Sequence, residues 1–162
     1  MKVLVIGAAG MVGCRLARHL LDTGRLGDRP VSRLTAFDVV PADLIADAGG
    51  IGLRIATGDL SDEATIRDLI ADRPDVIFHL AAVVSGEAEA DFDKGYRINL
   101  DGTRLLFEAI RAEPDYRPRV VYTSSIAVFG APFDDKIGDS FLTAPLTSYG
   151  TQKMIGELLL ND

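Results

Sequence analysis

Lys2-Val3-Leu4-Val5-Ile6-Gly7-Ala8-Ala9-Gly10-Met11-Val12-Gly13 opens the chain, and its reading decides the fold. The apolar run up to Ile6 is a buried-strand pattern, bounded at once by glycine. Met11–Thr23 then carries Val12, Leu16, Leu20 and Leu21 at helical intervals. A glycine loop between a strand and a helix suits one kind of ligand. Gly7 makes the tight turn. Gly10, lacking a Cβ, admits a pyrophosphate to the helix N-terminus, where free amides and the helix dipole favour an anion. Met11 and Val12 begin that helix and belong to the same candidate site, while Gly13 lets the helix pack close to the strand. The plainer alternative is a strand–turn–helix in which glycines are merely convenient.

Working outward, strands and helices alternate along the chain. Arg25–Arg33 reads as a loop, Leu34–Val39 as a second strand and Leu53–Ile55 as a short third. A helix capped by Ser61 runs to about Asp72, with acidic residues in its first turn. Val76–Leu80 is a fourth strand. The pattern then predicts one long helix over about Asp93–Glu113, with Ile98, Leu105, Leu106, Ala109 and Ile110 on its apolar side and Pro114 ending it. Arg119–Ser124 is a fifth strand, Ala131–Thr147 a loop rich in Gly, Pro and Asp, and a last helix starts near Tyr149. Strands that are apolar throughout belong to a parallel sheet covered on both faces. The expected class is therefore α/β, a doubly wound parallel sheet with helices on both faces, a Rossmann fold.

Composition bounds the rest. The 162 residues suit one domain with a real core, and 48% hydrophobic with 25% charged residues is an ordinary globular balance. No apolar run reaches the ~18 residues of a membrane span. The N-terminus lacks the hydrophobic region and cleavage site of a signal peptide. A single cysteine, Cys14, excludes an internal disulfide and fits a reducing cytoplasm. The net charge of −7, without a dense basic cluster, argues against nucleic acid or an anionic membrane as partner. No metal site is expected.

Asp38 ends the second strand, 25 positions after Gly13, near the spacing of an acid that binds an adenosine ribose. A carboxylate there accepts from both ribose hydroxyls and repels a 2′-phosphate, so the expected cofactor is NAD rather than NADP. Asp59-Leu60 follows the third strand, where an aspartate can meet an adenine amino group, though it serves equally as a solvated turn residue. Arg33 precedes its strand and is not read as a phosphate clamp. Near the other end stand Tyr149 and Lys153, four apart on one helical face. A neighbouring ammonium favours the phenolate, which makes a tyrosine able to transfer protons near neutral pH. Three further residues carry no chemistry on this reading. His79 is a packed histidine, His19 has no visible partner, and Cys14 is a small residue beneath the glycine loop.

Gly7-x-x-Gly10-x-x-Gly13, Asp38, Asp59-Leu60, His79-Leu80-Ala81-Ala82, Asn99, Thr123-Ser124-Ser125 and Tyr149-x-x-x-Lys153 occur in a fixed order. That ordered set resembles the short-chain dehydrogenases/reductases, and more narrowly their extended branch, the NAD-dependent epimerase/dehydratase family. The resemblance runs from Lys2 to the end of the chain. It implies that Tyr149 is the acid/base of a hydride transfer, with Lys153 lowering its pKa and holding the nicotinamide ribose. Ser125 matches the serine that bonds the reacting oxygen, with Ser124 beside it, although local backbone bonding is the plainer role for such a pair. Leu80, Ala81 and Ala82 let the cofactor pass beyond the fourth strand. Asn99 resembles the helix asparagine that supports the site.

Two stretches, Val83–Thr103 and Leu142–Tyr149, are similar to extended-branch members that oxidise C2 of a four-carbon sugar acid, a D-erythronate-like substrate, with NAD. Ser85 and Thr143 are the candidate substrate contacts, and both serve as readily as turn residues. The alternative is a nucleotide-sugar epimerase or dehydratase with the same cofactor chemistry. A further one is a non-catalytic NAD-binding module, against which the intact Ser125, Tyr149 and Lys153 argue. In this branch a C-terminal domain closes over the substrate. Only 13 residues follow Tyr149, so the expectation is a cofactor-binding portion truncated before the substrate domain, of low activity by itself. Full-length members of the branch commonly pair as homodimers through the two long helices.

Overall fold

The computed structural model describes residues 1–45, 50–130, 132–133 and 136–162. Five parallel strands make the main sheet: β1 (Lys2–Ile6), β4 (Arg33–Asp38), β5 (Gly52–Thr57), β6 (Val76–His79) and β7 (Arg119–Tyr122), in the order β5-β4-β1-β6-β7. The order reverses at β1, the strand that leads into the glycine loop. Leu4 stands opposite Thr35 on one side and Ile77 on the other. Such a reversal leaves a crevice at the carboxyl ends of the strands, where ligands of open α/β sheets bind.

Alternation along β1 divides the core. Val3 and Val5 face one side with Ala17, Leu20 and Leu34, under α1 (Met11–Thr23). Leu4 and Ile6 face the other, with Ile66 and Ile70 of α2 (Glu63–Ala71) and Leu106 of α5 (Gly102–Ala112). A sheet covered on both faces needs central strands without a polar side. β1, β4 and β6 are buried along nearly their whole length, while the edge strands β5 and β7 are partly exposed. Gly24, left-handed at φ 68°, ends α1.

Several local expectations change. The segment read as a loop before β4 contains a small antiparallel hairpin, β2 (Arg25–Leu26) with β3 (Arg29–Pro30). β5 is twice as long as its apolar stretch suggests, because its backbone pairs with the whole of β4. Helix α2 is capped by Asp62 rather than Ser61: the Asp62 carboxylate accepts from the Thr65 amide at 2.9 Å and the Thr65 hydroxyl at 2.7 Å. Ser61 instead donates its amide and hydroxyl to Asp59.

The helix expected over residues 93–113 is present and continuous from Phe92 to Ala112, but it widens into a π segment partway along. A separate short helix, α3 (Ser85–Ala90), precedes it, and α4 (Phe92–Gly95) runs through the π turn (Tyr96–Asp101) directly into α5. Asn99 in that turn is buried and bonded into the interior, which offsets the poorer helical geometry. Beyond β7 come a 3₁₀ turn (Ile126–Val128) and α6 (Ser148–Asn161), capped by Thr147. Ala131, Asp134 and Asp135, part of the loop read over 131–147, lie outside the described residues.

Candidate active site

The glycine loop is built against its neighbours at two points. Gly7 has φ +91°, and a Cβ on it would lie 2.6 Å from the Ala81 amide nitrogen. A Cβ on Gly13 would lie 2.0 Å from the Gly7 carbonyl oxygen, so α1 seats directly on the loop. Gly10 differs. Its Cβ would meet only the Gly7 carbonyl, at 3.3 Å, and open space otherwise. Gly10 caps α1 with no side-chain acceptor, and no acidic residue stands in the first turn. The amides and positive dipole end thus face outward uncompensated, a fit for a diphosphate. Met11 and Val12 beside them are 79% and 56% exposed, apolar surface that a dinucleotide would cover.

Asp38, ending β4, holds this loop in place. One carboxylate oxygen accepts from the Ala9 amide at 2.9 Å and the other from the Val39 amide at 2.7 Å. Each oxygen retains a lone pair for a hydroxyl donor. A groove of about 670 Å³ runs from here past Gly7 and Gly10 to Leu80, Ala81 and Ala82 beyond β6. Asp59 lines its far side. Burial opposes the ionised form of Asp59, but hydrogen bonds from Ser61 and the Arg97 guanidinium outweigh it and hold the carboxyl below its ordinary range. Leu60 turns into the core beneath the groove, 3% exposed, and does not line it.

Beyond the carboxyl end of β7, apart from the residues that line the groove, lies a polar cluster around the buried Lys153. Lys153 is only 2% exposed; its ammonium donates to the Thr123 carbonyl at 2.9 Å. Its Nζ sits 4.8 Å from the Tyr122 ring centroid and 5.9 Å from that of Tyr149. Burial pushes the ammonium down from 10.5 to about 8. Lys153 and the half-buried Tyr149 thus share one face of α6, as their spacing requires. Ser125 caps the 3₁₀ turn, its hydroxyl accepting from the Ala127 amide at 3.2 Å. The proton of that hydroxyl remains available for donation. A Cβ on Gly150 would lie 2.2 Å from the Ala127 carbonyl, so the helix bearing Tyr149 abuts the turn bearing Ser125. Ser124 is exposed beside it.

Asn99 stands behind the site. Its amide accepts from the Val83 amide at 2.8 Å and donates to the Val83 carbonyl and to Gln152 on α6. It therefore ties the chain after β6 to α6. His79 is buried as a packed residue, its Nε2 2.9 Å from the Thr103 hydroxyl, which itself donates to the Asn99 carbonyl. Desolvation, with the Lys153 charge adding to it, pushes His79 down to about 3, so it is neutral and no base. Cys14 is half-buried against the core, and Arg33 pairs with Asp72 away from the groove. Ser85 begins α3 in the open, and Thr143 is half-buried in the loop before α6. Glu89 of α3 accepts from the Tyr149 amide at 2.8 Å.

The residues that sequence reasoning missed at this site are Arg97, Lys94 and Glu87 in the groove wall and Tyr122 and Gln152 behind Lys153. All depend on the π segment of the long helix or on contacts between separate elements, which no local pattern encodes. Among the described residues no cluster of three acidic, His or Cys side chains is placed to hold a metal, and no helix is long and apolar enough to cross a membrane.

The sequence profile of the NAD dependent epimerase/dehydratase family matches residues 3–162. D-erythronate dehydrogenase of Cupriavidus necator is 49% identical over 166 aligned residues, covering 100% of this chain and 50% of that protein. The crystal structure of a nucleoside-diphosphate-sugar epimerase from Agrobacterium tumefaciens superposes with a TM-score of 0.93 at 57% identity, over 100% of this chain and 48% of that one. UDP-glucose 4-epimerase from Brucella ovis in complex with NAD gives 0.79 at 30% identity, covering 99% and 47%. The chain spans about half the length of the curated relatives it matches.

Proposed function

The chain belongs to the NAD-dependent epimerase/dehydratase family, and on that premise we propose that it carries the cofactor and proton-transfer groups of a dehydrogenase for a small sugar acid. The buried Lys153 ammonium beside Tyr149, in a fold whose glycine loop opens a helix with no acidic residue in its first turn, is the observation that carries this reading. Gly7, Gly10, Met11, Val12 and Gly13 would hold the pyrophosphate, Asp38 the adenosine ribose, and Asp59 with the Leu60 amide the adenine end. Leu80, Ala81 and Ala82 would line the path to the nicotinamide. Bound NAD supplies a hydride acceptor.

The chain's own residues supply the rest. Tyr149 as phenolate takes the hydroxyl proton of the substrate while the hydride leaves the same carbon, giving a ketone. The Lys153 ammonium stabilises that phenolate and is still mostly charged at neutral pH. Ser125 donates its free proton to the reacting oxygen. Asn99 acts as a positioning residue, holding α6 and the chain after β6 at a fixed separation. Ser85 and Thr143 would bond a sugar acid's remaining hydroxyls or carboxylate.

A D-erythronate-like substrate, oxidised at C2, is favoured by the 49% identity to D-erythronate dehydrogenase across the whole chain. A nucleotide sugar is the second reading, because the 57% identical structure bears an epimerase name. Incubation of the protein carrying this chain with NAD separates them. NADH formed from D-erythronate supports the first reading; interconversion of UDP-glucose without net NADH supports the second and removes the first. The enzyme would act as a homodimer.

A further inference from the structure

The groove's far wall holds a device that the proton-transfer chemistry does not use. Asp59 follows β5, and Arg97 rises from the π turn to meet it across the groove. The Arg97 Nη1 lies 2.7 Å from one Asp59 carboxylate oxygen and 2.6 Å from the Ser61 hydroxyl oxygen, so both of its protons are committed. The other Asp59 oxygen accepts the Ser61 amide at 2.8 Å and the Ser61 hydroxyl at 2.7 Å. A carboxylate offers about four acceptor positions. Three are taken, and both Asp59 and Arg97 still line the groove.

We propose that Arg97 is a specificity-determining positioning residue that locks Asp59 so that a single acceptor position faces the base, selecting a 6-amino purine over a 6-oxo purine. The proposal rests on the reading of this groove as the dinucleotide site. If the diphosphate lies at the Gly10 amides and the ribose at Asp38 on β4, the base continues toward β5, the next strand outward. There it meets Asp59 and Arg97. An adenine amino group donates into the one vacant position. A hypoxanthine presents a carbonyl oxygen at the same place, facing a carboxylate that cannot turn away. Freed from Arg97, the carboxylate can rotate and accept from the hypoxanthine ring N–H instead, and the distinction fades.

The test is calorimetric titration of the purified chain with NAD and with nicotinamide hypoxanthine dinucleotide, in wild type, Arg97→Met and Ser61→Ala. Arg97 and Asp59 are each nearly half exposed, so the variants retain the fold, and melting curves verify it. Wild type should prefer NAD by about tenfold or more, since a site built for a donor rejects an analogue lacking it. Arg97→Met should narrow that preference to within about threefold, and Ser61→Ala should narrow it partway. A preference undiminished in Arg97→Met, or a wild type that binds both dinucleotides equally, overturns the proposal alone. Failure of wild type to bind either dinucleotide overturns the cofactor-site reading and this proposal with it.

Discussion

Gly10 and Gly13 stand three residues apart in one loop and answer to different partners. Gly13 meets the protein's own backbone at 2.0 Å, whereas Gly10 faces open groove beyond one carbonyl at 3.3 Å. Gly13→Ala should therefore destabilise by about 3 kcal/mol or more in urea unfolding. Gly10→Ala should cost under about 1 kcal/mol and yet weaken NAD at least about tenfold, because its methyl stands where the diphosphate belongs. Equal effects on stability would contradict that division. Lys153 yields a prediction of opposite sign. Its folded pKa, about 8, lies below the ordinary 10.5, so burial of the charge costs stability. The cost is full below about pH 8, where both states are charged, and is relieved as pH rises from about 8 toward 10.5. Lys153→Met should raise the melting temperature of the ligand-free chain by a few degrees at pH 7, after allowing for the lost bond to Thr123, and the advantage should shrink toward pH 10. A variant that melts lower at pH 7 would show the ammonium to be net stabilising.

At the scale of the element, what sequence could reveal depended on how local its cause was. The strand–glycine–helix start, Asp38 and the Tyr149–Lys153 spacing were readable because each is a short-range pattern with one geometry. The cap of α2 was not, since Ser61, Asp62 and their neighbours all suit a helix start, and the choice is made by Asp59 and Arg97 drawing Ser61 away. Asp62→Ala should cost about 1 kcal/mol in thermal or urea unfolding, the usual value of a lost N-cap. No measurable loss would return the cap to another residue. The π segment inside the long helix was illegible for a similar reason. Periodicity over 93–113 is helical throughout, as the chain is, and the wide turn is fixed by Asn99 bonding to Val83 and Gln152, 16 and 53 residues away.

Across the whole molecule, the sheet order arranges the strand-end candidate groups in sequence along one edge. From β5 to β7 the carboxyl ends carry Asp59, Asp38, the glycine loop, Leu80 to Ala82 and Ser125, with Tyr149 and Lys153 on α6 closing the far end. The fold class was evident from alternation of strands and helices, and that arrangement follows from it. Arg97 and Tyr122 were not evident, because their partners come from other layers of the fold. The central claim is that Tyr149 transfers the proton in an NAD-dependent oxidation. It is tested most directly by NADH formation from D-erythronate with wild type and Tyr149→Phe, together with NAD titration of both. The account predicts a loss of about 10²–10⁴-fold in turnover with NAD affinity kept within about threefold. A Tyr149→Phe protein that binds NAD and turns over like wild type would contradict it.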